Sequence, residues 1–160
     1  IEQAWQKLRN LSLAHNYVPG INKCEIKTAQ KEGVGASRRV SGPKQWLDET
    51  VTEWQEGRGF TIRLHKGDKP PAPFTEGQFS YRLDKIDEGH CKITCTMIYE
   101  MGMGIFGKLL HSLLIENIVR NNVRDVSLGL AFFYETGKPV SDKDRKFLRI
   151  QDKNNAKPFP

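Results

Sequence analysis

Apolar residues recur along this chain in two rhythms, and the change between them is the first clue to its fold. Ile1, Ala4, Trp5, Leu8 and Leu11 return at intervals of three and four, the period of an amphipathic helix. Asn10 and Ser12 are cap residues, placed to end that helix and open a second short one in LSLAHNY. Val18-Pro19-Gly20 stops it. Strand-like runs then take over. INKCEIKT offers Ile21, Cys24 and Ile26, and VGASRRV runs from Val34 to Val40. The turn Ser41-Gly42-Pro43 leads into KQWLDETVTEW. GFTIRLH sets Phe60, Ile62 and Leu64 on one face, and GQFSYRLDKI does the same with Phe79, Tyr81 and Leu83. Between them lies the proline-rich loop KGDKPPAP. HCKITCTMIYEM alternates most clearly: Cys91, Ile93, Cys95, Met97 and Tyr99 face one way, Lys92, Thr94, Thr96 and Glu100 the other. A sheet that is apolar on one face and joined by short turns is antiparallel.

The helical rhythm then returns. His111, Ile115, Ile118, Val119, Asn122, Val123, Val126 and Leu130 form one stripe, ending near Phe132, Phe133 and Gly137. An apolar stripe needs a partner, and the one-faced sheet is the available one. The expected class is therefore α+β: a curved antiparallel sheet of six to seven strands wrapped around a long C-terminal helix, with two short helices near the N-terminus. Residues 1–137 form the expected domain. Residues 138–160 are expected to be a basic, partly disordered tail, with a short helix capped by Ser141 in SDKDRKFL and no element in QDKNNAKPFP.

The element order and several local strings resemble the SRPBCC superfamily, also called the START/birch-pollen-allergen or helix-grip group. They are most similar to its polyketide cyclase/dehydrase and lipid-transport branch. The strings are IEQAWQKLRNL with NYVPGINKCEI, GVGASRRV with its turn into WLDETVTEW, and the glycine junction before the long helix. The resemblance spans Ile1 to Phe133 and implies a cavity for an apolar or amphipathic small molecule between sheet and helix. That family begins with a strand before its first helix, and none precedes Ile1. Either the chain is cut there or its sheet has six strands and an open edge. VSGPKQWLDE is also similar to the gate loop of plant abscisic-acid receptors. The Leu-Pro-Ala and the His-Arg-Leu latch are missing, so hormone sensing does not carry over.

Candidate chemistry follows from parity. Arg38 shares the parity of Val34, Ala36 and Val40, and Glu49 shares that of Leu47 and Val51. If those faces point inward, a cation and a carboxylate enter the interior from neighbouring strands and must pair or meet a polar ligand group. The competing parity puts Trp46, Thr50 and Trp54 inside. Glu53 shares the parity of Glu49 but lies near the strand end, where solvation is expected. Tyr81, Tyr99 and His111 can supply hydrogen bonds or acid–base chemistry in a pocket, or can simply be core residues with their polar tips at the rim. Phe60, Ile62, Phe79, Met97, Ile115 and Asn122 complete the expected lining, with Met103 and Phe106 on the turn before the long helix.

That turn contains Gly102, Gly104 and Gly107 in a G-x-G-x-x-G pattern. A dinucleotide site needs a second parallel strand ending in an acidic residue about 20 positions on. Asp125 falls at that distance but inside the helix, so the glycines read as a hinge at the mouth of the cavity. No cofactor is expected, and no metal site, because Cys91 and Cys95 stand roughly 13 Å apart along a strand. An odd count of three cysteines argues against a disulfide framework and for a reducing, cytoplasmic setting. The net charge of +6 concentrates in the tail, where seven Lys/Arg face four Asp/Glu from Glu135 onward. No helix or strand interleaves cations with aromatics, so nucleic acid is not an expected partner, and no apolar run has membrane-spanning length. The leading expectation is binding or carriage of a hydrophobic or amphipathic small molecule. The alternatives are a polyketide cyclase/dehydratase-like enzyme positioning an enolate, and an interaction protein with a solid core whose basic tail meets an acidic partner or a membrane surface.

Overall fold

A computed structural model of the protein describes residues 1–102 and 114–155. Helix α1 (Glu2–Leu8) leads through a 3₁₀ turn, Leu11–Asn16, into six strands. These are β1 (Lys23–Ile26), β2 (Ser37–Ser41), β3 (Trp46–Gln55), β4 (Gly59–His65), β5 (Phe74–Lys85) and β6 (Cys91–Met101). Helices α2 (Glu116–Thr136) and α3 (Asp142–Asn155) follow. Every strand pairs antiparallel with the next, in the order β1-β2-β3-β4-β5-β6. Among the described residues β1 and β6 are the sheet's edges. The short N-terminal elements and α2 close over its apolar face.

Local chemistry sets the element ends. Asn10 accepts from the Ser12 backbone N–H at 3.1 Å, opening the 3₁₀ turn. Gly137, at φ 70°, returns its N–H to Phe133 and stops α2. Ser141 and Asp144 form a reciprocal cap at the start of α3: the Asp144 N–H donates to the Ser141 hydroxyl at 3.2 Å, and the Ser141 N–H to the Asp144 carboxylate at 3.0 Å.

Two strands depart from the sequence expectation. VGASRRV becomes strand only from Ser37, because Gly33 and Gly35 both take positive φ, leaving Val34 exposed. In β3 the register shifts by one residue between Val51 and Glu53. Before this bulge Leu47, Glu49 and Val51 face inward. After it the parity inverts, so that Trp54 turns in and Glu53 turns out to accept from the Thr61 hydroxyl at 3.0 Å. Both parities considered for KQWLDETVTEW are therefore present, one on each side of the bulge.

The core has a densely packed end. Trp5 meets Trp54 edge-on at 5.0 Å between ring centroids, Trp54 stacks on Phe60 at 5.5 Å, and Phe60 meets Tyr81 at 5.1 Å. Glu56 accepts from both indoles, Trp5 at 3.0 Å and Trp54 at 2.9 Å, so neither polar tip is lost on burial. Those indole bonds, Trp54's first, hold the Glu56 carboxyl below the usual carboxylate range.

Helix α2 approaches the backbone of the N-terminal segment closely. A Cβ on Gly129 would stand 2.5 Å from the Tyr17 carbonyl oxygen, so only glycine fits there. The tail is more ordered than its composition suggests. α3 runs past Leu148 to Asn155 and is held to α2 by Arg149 on Asp125 and Arg124 on Asp152, and to the N-terminal segment by Arg145 on the Tyr17 carbonyl at 3.0 Å. These tertiary anchors hold a helix whose apolar residues are Phe147, Leu148 and Ile150 alone. Asp125, the acidic residue at dinucleotide-like spacing, is thus the α3 anchor.

Candidate ligand cavity

A cavity of about 390 Å³ lies between the sheet and α2. The sheet contributes Val40, Leu47, Glu49, Leu64, Phe79, Tyr81 and Met97, which all sit on the inward parity of β2 to β6. From the opposite side come Asn122, Val123 and Val126 of α2, at helical spacing. Loops and the first residues of two strands complete the wall: Val18, Pro19 and Ile21, then Gln45 of the β2–β3 turn with Trp46 opening β3, then Lys66, Pro71 and Ala72 with Phe74 opening β5. Burial falls along α2 from Val126 through Val123 to Asn122, which puts the open side toward Asn122.

Of the residues expected from sequence, Glu49, Phe79, Tyr81, Met97 and Asn122 line this cavity. Phe60 and Ile62 do not. Phe60 is sandwiched between Trp54 and Tyr81, and Ile62 is 1% exposed in the packed core. Tyr99 sets its ring against Phe74, 5.1 Å away, and Ile115 is half-buried; neither is part of the lining. Met103, Phe106 and His111 lie outside the described residues. Besides Val18, Pro19, Ile21, Gln45 and Trp46, which flank the strands, the lining positions that sequence reasoning passed over are of two kinds. Val40, Leu47, Leu64, Val123 and Val126 carried the signal, since they share parity or stripe with residues that were named. Lys66, Pro71 and Ala72 belong to a loop whose path no periodicity reports, and Phe74 is the strand residue that loop leads into.

Arg38 stands behind the wall. It is 1% exposed, donates through Nε to Glu49 at 2.5 Å and through Nη1 to the Leu11 carbonyl at 2.8 Å. Its Nη2 has no partner among the described residues. The β2–β3 register puts Arg38 directly opposite Glu49, so the pair is built into the ladder. Burial disfavours the Arg38 charge, but the Glu49 carboxylate, with the Tyr17 and Tyr81 oxygens, outweighs it and holds the guanidinium well above its ordinary pKa. Burial pushes the Tyr81 and Tyr17 phenols up, keeping both neutral and able to donate. It also pushes the Cys95 thiol up to about 11, so that sulfur is not a nucleophile at ordinary pH. Among the described residues no group of His, Cys, Asp and Glu is placed to hold a metal ion.

Chemically, the site is a mostly apolar chamber with a buried polar corner at Glu49 and Tyr81, while Gln45, Lys66 and Asn122 are exposed members of its lining. Glu49 supplies acceptor oxygens, Tyr81 a neutral hydroxyl, and Arg38 fixes the carboxylate's position from behind. Such a corner orients one polar group of a ligand while the rest is buried among aliphatic and aromatic side chains.

An antiparallel sheet curved around one long helix, with short helices closing one end, defines a helix-grip protein of the SRPBCC superfamily. Within it the chain belongs to the family described as polyketide cyclase/dehydrase and lipid transport, which matches residues 1–131. No curated protein matches the chain. Among solved structures, a protein from Thermus thermophilus is 18% identical at a TM-score of 0.63, over 85% of this chain and 90% of that one. A Thermobifida fusca protein is 21% identical at 0.62, over 82% and 85%. The structure of Ara h 8.0201 is 13% identical at 0.55, over 81% and 88%. At these identities the likeness is one of fold.

Proposed function

We propose that the chain binds and carries an amphipathic small molecule in the cavity between sheet and α2. The observation that carries this reading is the lining itself: among the described residues it is mostly apolar, its buried polar groups are Glu49 and Tyr81, and its other polar residues, Gln45, Lys66 and Asn122, are exposed. A chamber of about 390 Å³ falls within the size range of small-molecule sites. The ligand's polar group sits against Glu49 and Tyr81, and its apolar body runs along Leu64, Phe79 and Met97 toward Val126. A hydroxyl or protonated amine suits the corner, because each can donate to the carboxylate. The family's description is consistent with a hydrophobic cargo, and Arg38 favours binding over proton transfer because it commits Glu49 to an ion pair.

Native mass spectrometry of protein purified from its own host tests the reading. A small molecule that travels with the wild type should be lost in Leu64→Trp and Val126→Phe, which fill the chamber. A wild type that is empty, and whose melting temperature ignores long-chain alcohols and sterols, would overturn it.

A further inference from the structure

Helix α3 lies beyond residue 131, where the family match ends, and it has two unlike sides. Arg145, Arg149 and Asp152, at spacings of four and three, face inward and are all engaged: with the Tyr17 carbonyl, Asp125 and Arg124 respectively. The opposite side carries Lys143, Lys146, Phe147, Ile150 and Lys153, every one exposed. At 3.6 residues per turn these five occupy an arc of about 120°. Phe147 and Ile150 are 58% and 59% exposed and stand one turn apart. The helix's three acids, Asp142, Asp144 and Asp152, fall outside that arc, and Asp144 is occupied in the cap with Ser141. Among the described residues the three lysines make no ion pair.

We infer that this face of α3 is a docking surface for an anionic lipid bilayer. Two large apolar side chains flanked by unpaired lysines match the cross-section of a helix lying in the plane of a membrane interface. Phe147 and Ile150 enter the boundary of the acyl chains, and the lysines extend their stems alongside and set their ammonium groups among lipid phosphates. A partner helix would call for a longer stripe, with apolar residues at four successive contact positions. Here only two apolar positions are present, and the charge is of one sign. No described helix is long and apolar enough to cross a membrane, so the attachment is peripheral. The inference stands on α3 alone and does not depend on what the cavity holds.

Vesicle co-sedimentation of the whole chain tests it, with phosphatidylcholine alone against an equal mixture of phosphatidylcholine and phosphatidylserine. The wild type should pellet with the mixed vesicles only, and added salt should release it. Joint Lys143→Gln, Lys146→Gln and Lys153→Gln should lower partitioning about a hundredfold. Joint Phe147→Gln and Ile150→Gln should lower it about tenfold or more. Since all five side chains are exposed, each variant should keep the wild-type melting temperature. A wild type that stays in the supernatant, or pelleting that survives both sets of substitutions, would overturn the inference. So would a dimer in analytical ultracentrifugation that Phe147→Gln with Ile150→Gln disperses while vesicles are ignored, which would assign the face to a second copy.

Discussion

The two ends of the sheet's inner face are built from the same alternating pattern and come to opposite results. At one end Trp5, Trp54, Phe60 and Tyr81 interlock ring on ring, with Glu56 satisfying both indoles. At the other, Val40, Leu64, Phe79 and Met97 face a chamber of about 390 Å³. The strands do not make the difference, since β4 and β5 run through both regions. What differs is the layer laid across them. α1 supplies a tryptophan to fill the first end, whereas among the described residues the second is covered by α2 residues no larger than valine and by loops. An alternating strand specifies a face to be buried; the opposing side chains determine whether burial is solid or hollow.

The largest expected effect sharpens this contrast directly. Trp5→Ala should cost about 4 kcal/mol in denaturant unfolding, because it opens a void in a packed cluster and strips Glu56 of a partner. Leu64→Ala, beside space that already exists, should cost about 2 kcal/mol, the low end for such truncations. Equal losses would break the distinction between the two ends.

Arg38→Met should be next, at about 3 kcal/mol, since it leaves the Glu49 carboxylate buried and uncompensated. Adding Glu49→Leu should restore most of that loss in the same chemical denaturation experiment, because the pair's own net contribution is small. A double variant as unstable as the single one would mean the polar corner supports the packed end as well.

Gly129→Ala probes the seam where α2 crosses Tyr17. In an exposed helix the change gains about 1 kcal/mol. Here the new methyl meets the Tyr17 carbonyl, so a net loss of about 2 kcal/mol in thermal unfolding is expected.

The smallest effect belongs to the outer face behind the cavity, where Arg39 pairs with Asp48 at 2.7 Å. That hydrogen bond holds the Asp48 carboxyl below its ordinary range. A depressed carboxylate pKa stabilises the fold above the unfolded value, about 3.9, and the benefit is lost as pH falls through the lower folded value. Wild type and Asp48→Asn should therefore differ in melting temperature at neutral pH, by an amount equivalent to less than about 1 kcal/mol. The difference should close in strong acid.

The inward faces of β4, β5 and β6 could be read from alternation, because each strand is apolar on one side throughout. Arg38 and Glu49 paired on only one of the two parities open for KQWLDETVTEW, and the β2–β3 register selected it. β3 was only half legible. A bulge is one inserted residue with no mark of its own in KQWLDETVTEW, so Glu53 and Trp54 exchanged faces in the folded strand. The α3 extension to Asn155 was also hidden, since its stability lies in ion pairs to Asp125 and Arg124 rather than in its own composition. The loop from Lys66 to Phe74 entered the cavity wall by tertiary placement alone.

Periodicity, a local property of neighbouring residues, by itself determined that this chain has an amphipathic helix and a one-faced antiparallel sheet, and it offered Arg38 and Glu49 as a buried pair on one of two parities for KQWLDETVTEW. Tertiary structure alone decided where the packing over that sheet is solid and where it is hollow, and which side of the last helix is left facing outward. Both depend on how the volumes and charges of distant segments meet, and no window of sequence contains that sum.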